Sequence, residues 1–336
     1  MNFHSIPKPA KTGFNALAGL LVCGFLSAGP AWAELPNVAK PSADKATLNY
    51  GLKATELAGG WYVIAGANDD FSQANGCNII NTGFYIDDAG VFVINTGTSR
   101  IYGEQQRALI DSISKGKPIQ QVVALNLHPD YFLGNQAYPK EALAATKVTI
   151  QGIKAEAALY ETNLYRLCGD WMKATESVFP SQTIVPEKLN KLGGKAIEAI
   201  ELKGHTDSDL VLFDPDSKVM WAGGLVFYKR IVTTPHARLK PWIESLKKLQ
   251  AMKPKVVVPS HGPVSWGTEA IDQTLDYLTW LDTRLTQAAQ MGEEMNEVMK
   301  QGAPERFRSF AAYPAEFYRN VTNLYPVYEK GALGGF

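Results

Sequence analysis

From Gly59 onward the apolar positions of the chain fall into two rhythms. Short β-rich runs occur at Trp61-Ala65, Asn78-Ile86, Val91-Asn95, Gln121-Leu127, Lys147-Gln151, Ala196-Leu202, Leu210-Phe213, Val219-Ala222 and Lys255-Pro259, each with the length and branched-residue content of a strand. Between and after them, Ile101-Ser114, Ile153-Thr175, Pro241-Met252 and the long Glu269-Lys300 read as helices. In the last of these, Ile271, Leu275, Leu278, Leu281 and Leu285 recur at steps of three and four and make one packed face. Met291, Met295 and Met299 continue it at every fourth position; such a stripe can hold a soft metal, but filling a core or interface is its commoner use. Strands paired with helices in two halves predict an α/β fold, an αββα sandwich of two mixed β-sheets flanked by helices. No Pro/Gly/Ser-rich linker divides residues 50–300. The reading is therefore one domain over residues 47–336, with a helical, aromatic-rich C-terminal extension and a flexible segment at 34–46 before it.

The first 33 residues stand apart. Lys8 and Lys11 form a basic start, an apolar run follows from Phe14 to about Leu26, and Ala31-Trp32-Ala33 is a small-x-small cleavage site. This is the pattern of a cleaved signal peptide, residues 1–33, and it implies a periplasmic product with no stable membrane insertion. The rival is an uncleaved anchor helix, against which Gly29-Pro30 interrupts the run before it reaches the roughly 20 apolar residues of a span. Over 336 residues, 33 basic and 33 acidic side chains balance. No cationic excess is left to neutralise a phosphate backbone, so nucleic acid is excluded as the principal partner and a small-molecule substrate is expected. Cys23 leaves with the signal, so the mature chain keeps Cys77 and Cys168. In an oxidising compartment two thiols can form one disulfide, and the alternative is two buried free thiols.

Four histidines remain after cleavage, His128, His205, His236 and His261. Three stand where an apolar run stops: Val122-Leu127 before His128-Pro129-Asp130, Ile197-Leu202 before Gly204-His205-Thr206-Asp207, and Val256-Pro259 before Ser260-His261-Gly262-Pro263. Loops at strand ends are where a scaffold presents functional groups. One histidine in such a loop is ordinarily a surface or packing residue; three, the first with a carboxylate two residues on, point to a metal site.

The order N-x-H-x-D-Y-x-x-G (Asn126 to Gly134), G-H-T-x-S-D (Gly204 to Asp209), A-G-G-L-V-F (Ala222 to Phe227) and V-V-P-S-H-G-P (Val257 to Pro263) resembles the metallo-β-lactamase superfamily. Within it the chain is similar to the exported branch called quinoprotein relay system zinc metallohydrolases. Asn75-Gly76 through Thr96-Gly97, Thr234-Pro235-His236 and Arg319-Asn320-Val321-Thr322 extend the likeness over most of residues 55–325. The resemblance implies a metal-dependent hydrolase in which a metal-bound water attacks an ester, thioester or related carbonyl, with Asp130 orienting the water and carrying its proton. It also implies a role beside a periplasmic quinoprotein dehydrogenase system that oxidises alcohols.

The departures from the superfamily's H-x-H-x-D-H pattern are specific. Asn126 stands at its first histidine and Tyr131 at its last, Gly224 at the bridging aspartate, and Asn95 where an aspartate closes the strand before Thr96-Gly97. Two divalent ions roughly 3.5–4 Å apart need anionic ligands between them, and neither Gly224 nor Asn95 supplies one. The expected set is therefore His128, Asp130, His205 and His261 around at most one Zn²⁺, with Asn126, Tyr131 and His236 as auxiliary candidates. His236 can equally be a loop element, and Lys229-Arg230 an exposed basic pair that meets a substrate carboxylate or is only solvated. Asp207 and Asp209 read as turn residues. By the same resemblance, a Cys77–Cys168 bridge fixes a lid beside the site, whereas a Cys77 thiolate would be a ligand. The second functional class left open is a catalytically silent binding or accessory protein with a degenerate metal site.

Overall fold

The computed structural model describes residues 37–334, so the expected signal peptide lies outside the described residues. Seven strands form the first sheet in chain order: β1 (Ala54–Glu56), β2 (Trp61–Ile64), β3 (Thr82–Ile86), β4 (Val91–Ile94), β5 (Ile119–Val123), β6 (Leu143–Thr146) and β7 (Gln182–Ile184). Pairing is antiparallel from β1 to β4 and parallel from β4 to β7. After a small hairpin, β8 (Lys191–Leu192) and β9 (Lys195–Ala196), the second sheet runs β10 (Glu198–Leu202), β11 (Asp209–Phe213), β12 (Val219–Trp221), β13 (Val256–Val258) and β14 (Ser265–Trp266). It is antiparallel except for the parallel pair β12–β13. These are the two mixed sheets that the sequence pattern predicts.

Helices cover the outer faces. On the first sheet lie α1 (Arg100–Ser114), the single turn α2 (Pro129–Phe132) and α3 (Lys147–Cys168); on the second lie α4 (Leu239–Ala251), α5 (Glu269–Met291), α6 (Met295–Gln301), α7 (Glu305–Arg308) and α8 (Ala315–Ala332). Trp61, Val63, Phe92, Ile94 and Val123 from one sheet meet Leu210, Leu212, Trp221, Val256 and Val258 from the other in a buried layer. Burial of each such side chain contributes about 1.5–3 kcal/mol. Ile271, Leu278, Leu281 and Leu285 of α5 are buried as the periodicity requires. Among the described residues, no helix is long and apolar enough to cross a membrane.

Several boundaries differ from the sequence reading: the helix read as Ile153-Thr175 ends at Cys168 and the strand read as Asn78-Ile86 starts at Thr82, and two differences change the elements themselves. Lys147-Gln151 is the first turn of α3 and not a strand: the Thr146 hydroxyl accepts the Thr149 N–H and caps a helix there, while the strand is the preceding Leu143–Thr146. The long C-terminal helix stops at Gly292, whose φ of 69° ends α5 before Glu294 and Glu297 open α6 with a capping box. Met295 and Met299 then pack partly against the core, and Met291 stays exposed. Of the 34–46 segment, Val38 and Ala43 lie partly buried against core clusters.

Candidate functional site

The sandwich presents its chemistry along one edge. β4, β5, β12 and β13 all end there, and β11 begins there, so the turns after them bring Asn95, Asn126 to Asp130, Gly224 and His261 together with the loop Gly204 to Asp209. His128 is the N-cap residue of α2, and Pro129 at the first helical position sets the turn that carries Asp130. A cavity of about 430 Å³ opens at this edge, with His128, Asp130 and His261 in its wall beside Arg230, Phe71 and Leu164.

Asp130 and His261 form the first group. The His261 Nδ1 lies 2.9 Å from the Ile79 carbonyl oxygen, which can only accept, so Nδ1 carries the hydrogen and Nε2 of the neutral ring is bare. Burial, with the charge of Arg230, holds His261 well below its ordinary pKa and keeps it neutral. Its Nε2 faces Asp130 Oδ2 at 3.6 Å. That oxygen is buried and has no hydrogen-bond partner among the described residues. Two acceptors therefore face each other, and a proton between them removes the conflict. Consistently, burial pushes the Asp130 carboxyl up to about 7, against the opposing pull of its own backbone N–H and of Arg230.

His128 and His236 form the second group. His128 Nε2 lies 3.0 Å from His236 Nδ1, and their rings are 5.2 Å apart. Burial, with the other three histidines around it, holds His128 well below its ordinary pKa. His205 stands edge-on to His128 at 4.6 Å but is fully buried behind the cavity lining and belongs to a third group. Its Nε2 meets the Thr233 hydroxyl at 3.2 Å, and its Nδ1 lies 3.5 Å from both Asp209 Oδ1 and Asn126 Nδ2.

This third group answers the departures from the family pattern. Asn126 is fully committed: its Oδ1 accepts the His128 N–H at 3.0 Å, and its Nδ2 donates to Asp209 Oδ1 at 2.5 Å. Asp209, expected only in a turn, does hold the Thr206 N–H at 2.9 Å, but its buried carboxylate also ties Asn126 to the His205 loop. A Cβ on Gly224 would stand 2.1 Å from His205 Nδ1 and 2.8 Å from Asp209 Oδ1, so the place of a bridging carboxylate is filled by these two side chains. Tyr131 is buried in the layer between the sheets. Asn95, with φ 56°, accepts the Leu125 N–H on its Oδ1 at 3.1 Å and so serves the backbone.

The expected zinc set is consequently split. His128, Asp130, His205 and His261 stand close together, but among the described residues no group of three or more His, Cys, Asp or Glu side chains is placed to hold one ion. His205 has its Nε2 on the Thr233 hydroxyl and its Nδ1 beside Asp209 and Asn126, and His128 Nε2 is taken by His236. The donors as arranged do not fit a zinc centre of the family type, which needs at least three protein ligands on one ion.

Two arginines and the cysteine pair complete the surroundings of the cavity. Arg230, read as half of an exposed basic pair, is buried: Nε donates to the Asp69 carbonyl at 2.8 Å, Nη1 to the Ile231 carbonyl at 3.0 Å, and Nη2 lies 3.5 Å from Glu316. Lys229 is the exposed member. Arg319 of α8 bridges Asp70 and Glu316 across the cavity rim. Cys77 and Cys168 are joined, their Cα atoms 5.9 Å apart, which ties the loop that carries Asp70 and Phe71 to the end of α3 that carries Leu164 and Leu167. Cys77 is thus a crosslink and not a ligand.

Residues 75–261 match the family model described as the metallo-beta-lactamase superfamily, over more than half the chain. The chain belongs to that superfamily. A linear primary-alkylsulfatase of Pseudomonas sp. (strain ATCC 19151) is 21% identical over 290 residues, 74% of this chain and 54% of the relative. The chain thus spans about half the length of that curated relative. A metallo-beta-lactamase from Pontibacter korlensis superposes with TM-score 0.53 at 22% identity, over 68% of this chain and 99% of that one. The mono-zinc form of FIM-1 from Pseudomonas aeruginosa does so with TM-score 0.53 at 16% identity, over 68% and 96%. At such identities the likeness speaks for the fold. Within this superfamily member, the matched range takes in His128, Asp130, His205, His236 and His261 and stops short of α8, which supplies Glu316 and Arg319.

Proposed function

We propose that this chain is a hydrolase that carries out acid–base chemistry on an ester, thioester or related carbonyl compound bound in the cavity beside His128, Asp130 and His261. One observation carries the reading: a buried carboxyl oxygen without a partner, in a cavity wall and facing a bare imidazole nitrogen. A folded chain keeps such a pair at a cost in stability, and groups of this kind concentrate where protons are moved. With its pKa near 7, Asp130 exchanges a proton readily at neutral pH. As a carboxylate it takes a proton from the attacking water; as an acid it returns that proton to the leaving group, the oxygen of an ester or the sulfur of a thioester. His261 steadies the protonated form through its bare Nε2. Phe71, Leu164 and Leu167 give the cavity an apolar side, and the relative named a linear primary-alkylsulfatase supports an ester with an apolar chain. The leader sequence supports a periplasmic site of action, and the motif likeness supports an accessory role beside a quinoprotein dehydrogenase system that oxidises alcohols.

A second reading, a binding or accessory protein without turnover, is favoured by the commitment of Asn126, His205 and Asp209 to one another. Hydrolysis of p-nitrophenyl hexanoate and of a hexanoyl thioester separates the two. Asp130→Asn should lower kcat by about a hundredfold or more. Unchanged turnover in that variant would remove Asp130 from the reaction, and absence of turnover in the wild type would favour the second reading.

A further inference from the structure

Three residues of the cavity wall carry a buried side-chain polar atom without a hydrogen-bond partner among the described residues: Asp130 at Oδ2, Arg230 at Nη2 and Tyr160 at its hydroxyl. Asp130 is the carboxyl of the reading above, and the other two are donors. A phenol O–H can rotate, but the Arg230 fork is fixed. Its Nε donates to the Asp69 carbonyl at 2.8 Å and its Nη1 to the Ile231 carbonyl at 3.0 Å, which leaves Nη2 as the free end. Glu316 lies 3.5 Å from Nη2 and Asp70 3.9 Å, near enough to balance the charge but making no hydrogen bond to it. The Tyr228 N–H donates to the His261 carbonyl at 3.0 Å, so the chain leading into Arg230 is tied to the loop that faces Asp130.

The charge around Nη2 decides which kind of oxygen suits it. Asp70 and Glu316 balance Arg230 and Arg319, and both acids also pair with Arg319, Glu316 at 2.9 Å. Asp130 is the remaining carboxyl of the wall, so the lining offers no surplus positive charge to recruit an anion. A fixed N–H beside a compensated charge fits a neutral acceptor, a carbonyl oxygen, and holds it more strongly as negative charge grows there.

We propose that Arg230 Nη2 is the donor to the carbonyl oxygen of a ligand in this cavity, and that it carries the oxyanion formed there when water attacks. The inference rests on the hydrolase reading for its second half alone. In that step the water oxygen bonds to the carbonyl carbon, its proton passes to Asp130, and the π pair moves onto the oxygen held by Nη2. When the bond to the leaving group breaks, the pair on that oxygen re-forms the carbonyl and the leaving group takes the proton from Asp130. A donor fixed beforehand by two backbone carbonyls does not reorganise as the charge develops. Nη2 has no surface open to water, so seating the oxygen takes a shift of the rim, where Arg319 is half-exposed.

Guanidinium NMR and ester kinetics test the two halves separately. In wild-type protein labelled with ¹⁵N-arginine, the Nη hydrogens of Arg230, assigned through bonds, should shift when hexanamide is added, a carbonyl compound without a labile ester. Arg230 hydrogens that stay in place, whether or not the Leu164 and Leu167 methyls report binding, would overturn the inference. This measurement needs no variant, so it decides even if substitution at Arg230 prevents folding. In steady-state hydrolysis of p-nitrophenyl hexanoate, Arg230→Gln should lower kcat by about a hundredfold or more with KM little changed. Arg230→Lys, which keeps the charge but not the fork, should recover part of that loss. A wild type that hydrolyses nothing while hexanamide moves the Arg230 hydrogens would remove the hydrolase reading and leave the carbonyl site standing. Wild-type turnover that persists undiminished in Arg230→Gln would do the reverse.

Discussion

Asp130 and Asp214 are both buried carboxyls at the ends of the sandwich, 2% and 1% exposed, and they differ in nearly everything else. β11 begins beside the cavity at Asp209 and ends just before Asp214, so the two aspartates mark opposite edges of the same fold. Asp214 Oδ2 accepts the Trp61 indole N–H at 3.0 Å, the Lys195 ammonium at 3.0 Å and the Ser217 hydroxyl at 2.6 Å. Its Oδ1 takes the N–H groups of Asp216 and Ser217. Burial alone would raise its pKa, but the hydrogen bonds from Ser217, Lys195 and Trp61 together outweigh it and hold Asp214 at about 2. Asp130 has burial without those donors and stands at about 7. With Trp61 on the first sheet and Asp214 following the second, the satisfied carboxylate fastens the sheets together. The unsatisfied one is kept in spite of its cost, and that difference separates a structural charge from a chemical one.

The comparison can be broken most sharply by exchanging the consequences. Asp130→Asn should remove hydrolysis while the fold is retained, and Asp214→Ala should leave the kinetic constants of the folded protein near wild type while lowering its stability by about 3 kcal/mol, because Lys195 and the Trp61 N–H lose their acceptor. Urea unfolding followed by tryptophan fluorescence measures the second effect. Loss of activity in both variants, or in neither, would erase the distinction.

Gly224 tests the filled space at the cavity edge. Gly224→Ala puts its methyl against His205 Nδ1 and should lower stability by about 1–3 kcal/mol. Thermal unfolding measures this, and an unchanged melting temperature would mean that His205 and Asp209 do not occupy the place of the bridging carboxylate.

The pH dependence of stability should carry opposite signs at the two aspartates. Asp214 has a folded pKa below that of the unfolded chain, so its contribution is complete above about pH 4 and is lost as pH falls toward 2. Asp130 has a folded pKa above the unfolded value, so stability falls as pH rises from about 4 to 7 and is level beyond. Asp130→Asn, which removes the buried charge, should therefore raise stability at pH 8 by about 1–3 kcal/mol and change it little at pH 4. Parallel urea titrations at the two pH values check this, and an equal change at both would contradict it.

Much of this architecture is legible in the sequence because it depends on local periodicity. The α5 face, the strands of the central layer and the loops that end in His128, His205 and His261 all follow from neighbours along the chain. The boundary at Lys147 is lost because Val148, Thr149 and Ile150 have strand-like side chains, and only the Thr146 cap decides for helix. The site is legible in part. Residue types and order bring His128, Asp130, His205 and His261 to one edge, but which nitrogen faces which partner is set by contacts between distant segments. Arg230 illustrates this: its buried state depends on carbonyls at Asp69 and Ile231 and on Glu316 from the C-terminal helix, which no motif encodes. Asp209 reads as a turn residue because half of its role is to hold the Thr206 N–H; the other half is a pairing with Asn126 across 83 positions.

The protonation state of Asp130 is the most direct test of the comparison. Carboxyl ¹³C chemical shifts of the aspartate-labelled protein, purified without chelator or added metal and assigned with Asp130→Asn, give its titration midpoint. A midpoint near 7, with Asp214 still ionised down to about pH 2, is the predicted result. An Asp130 carboxylate that stays ionised below pH 4 would contradict it, because only a cation held against that oxygen, or donors supplied to it, could keep the charge there.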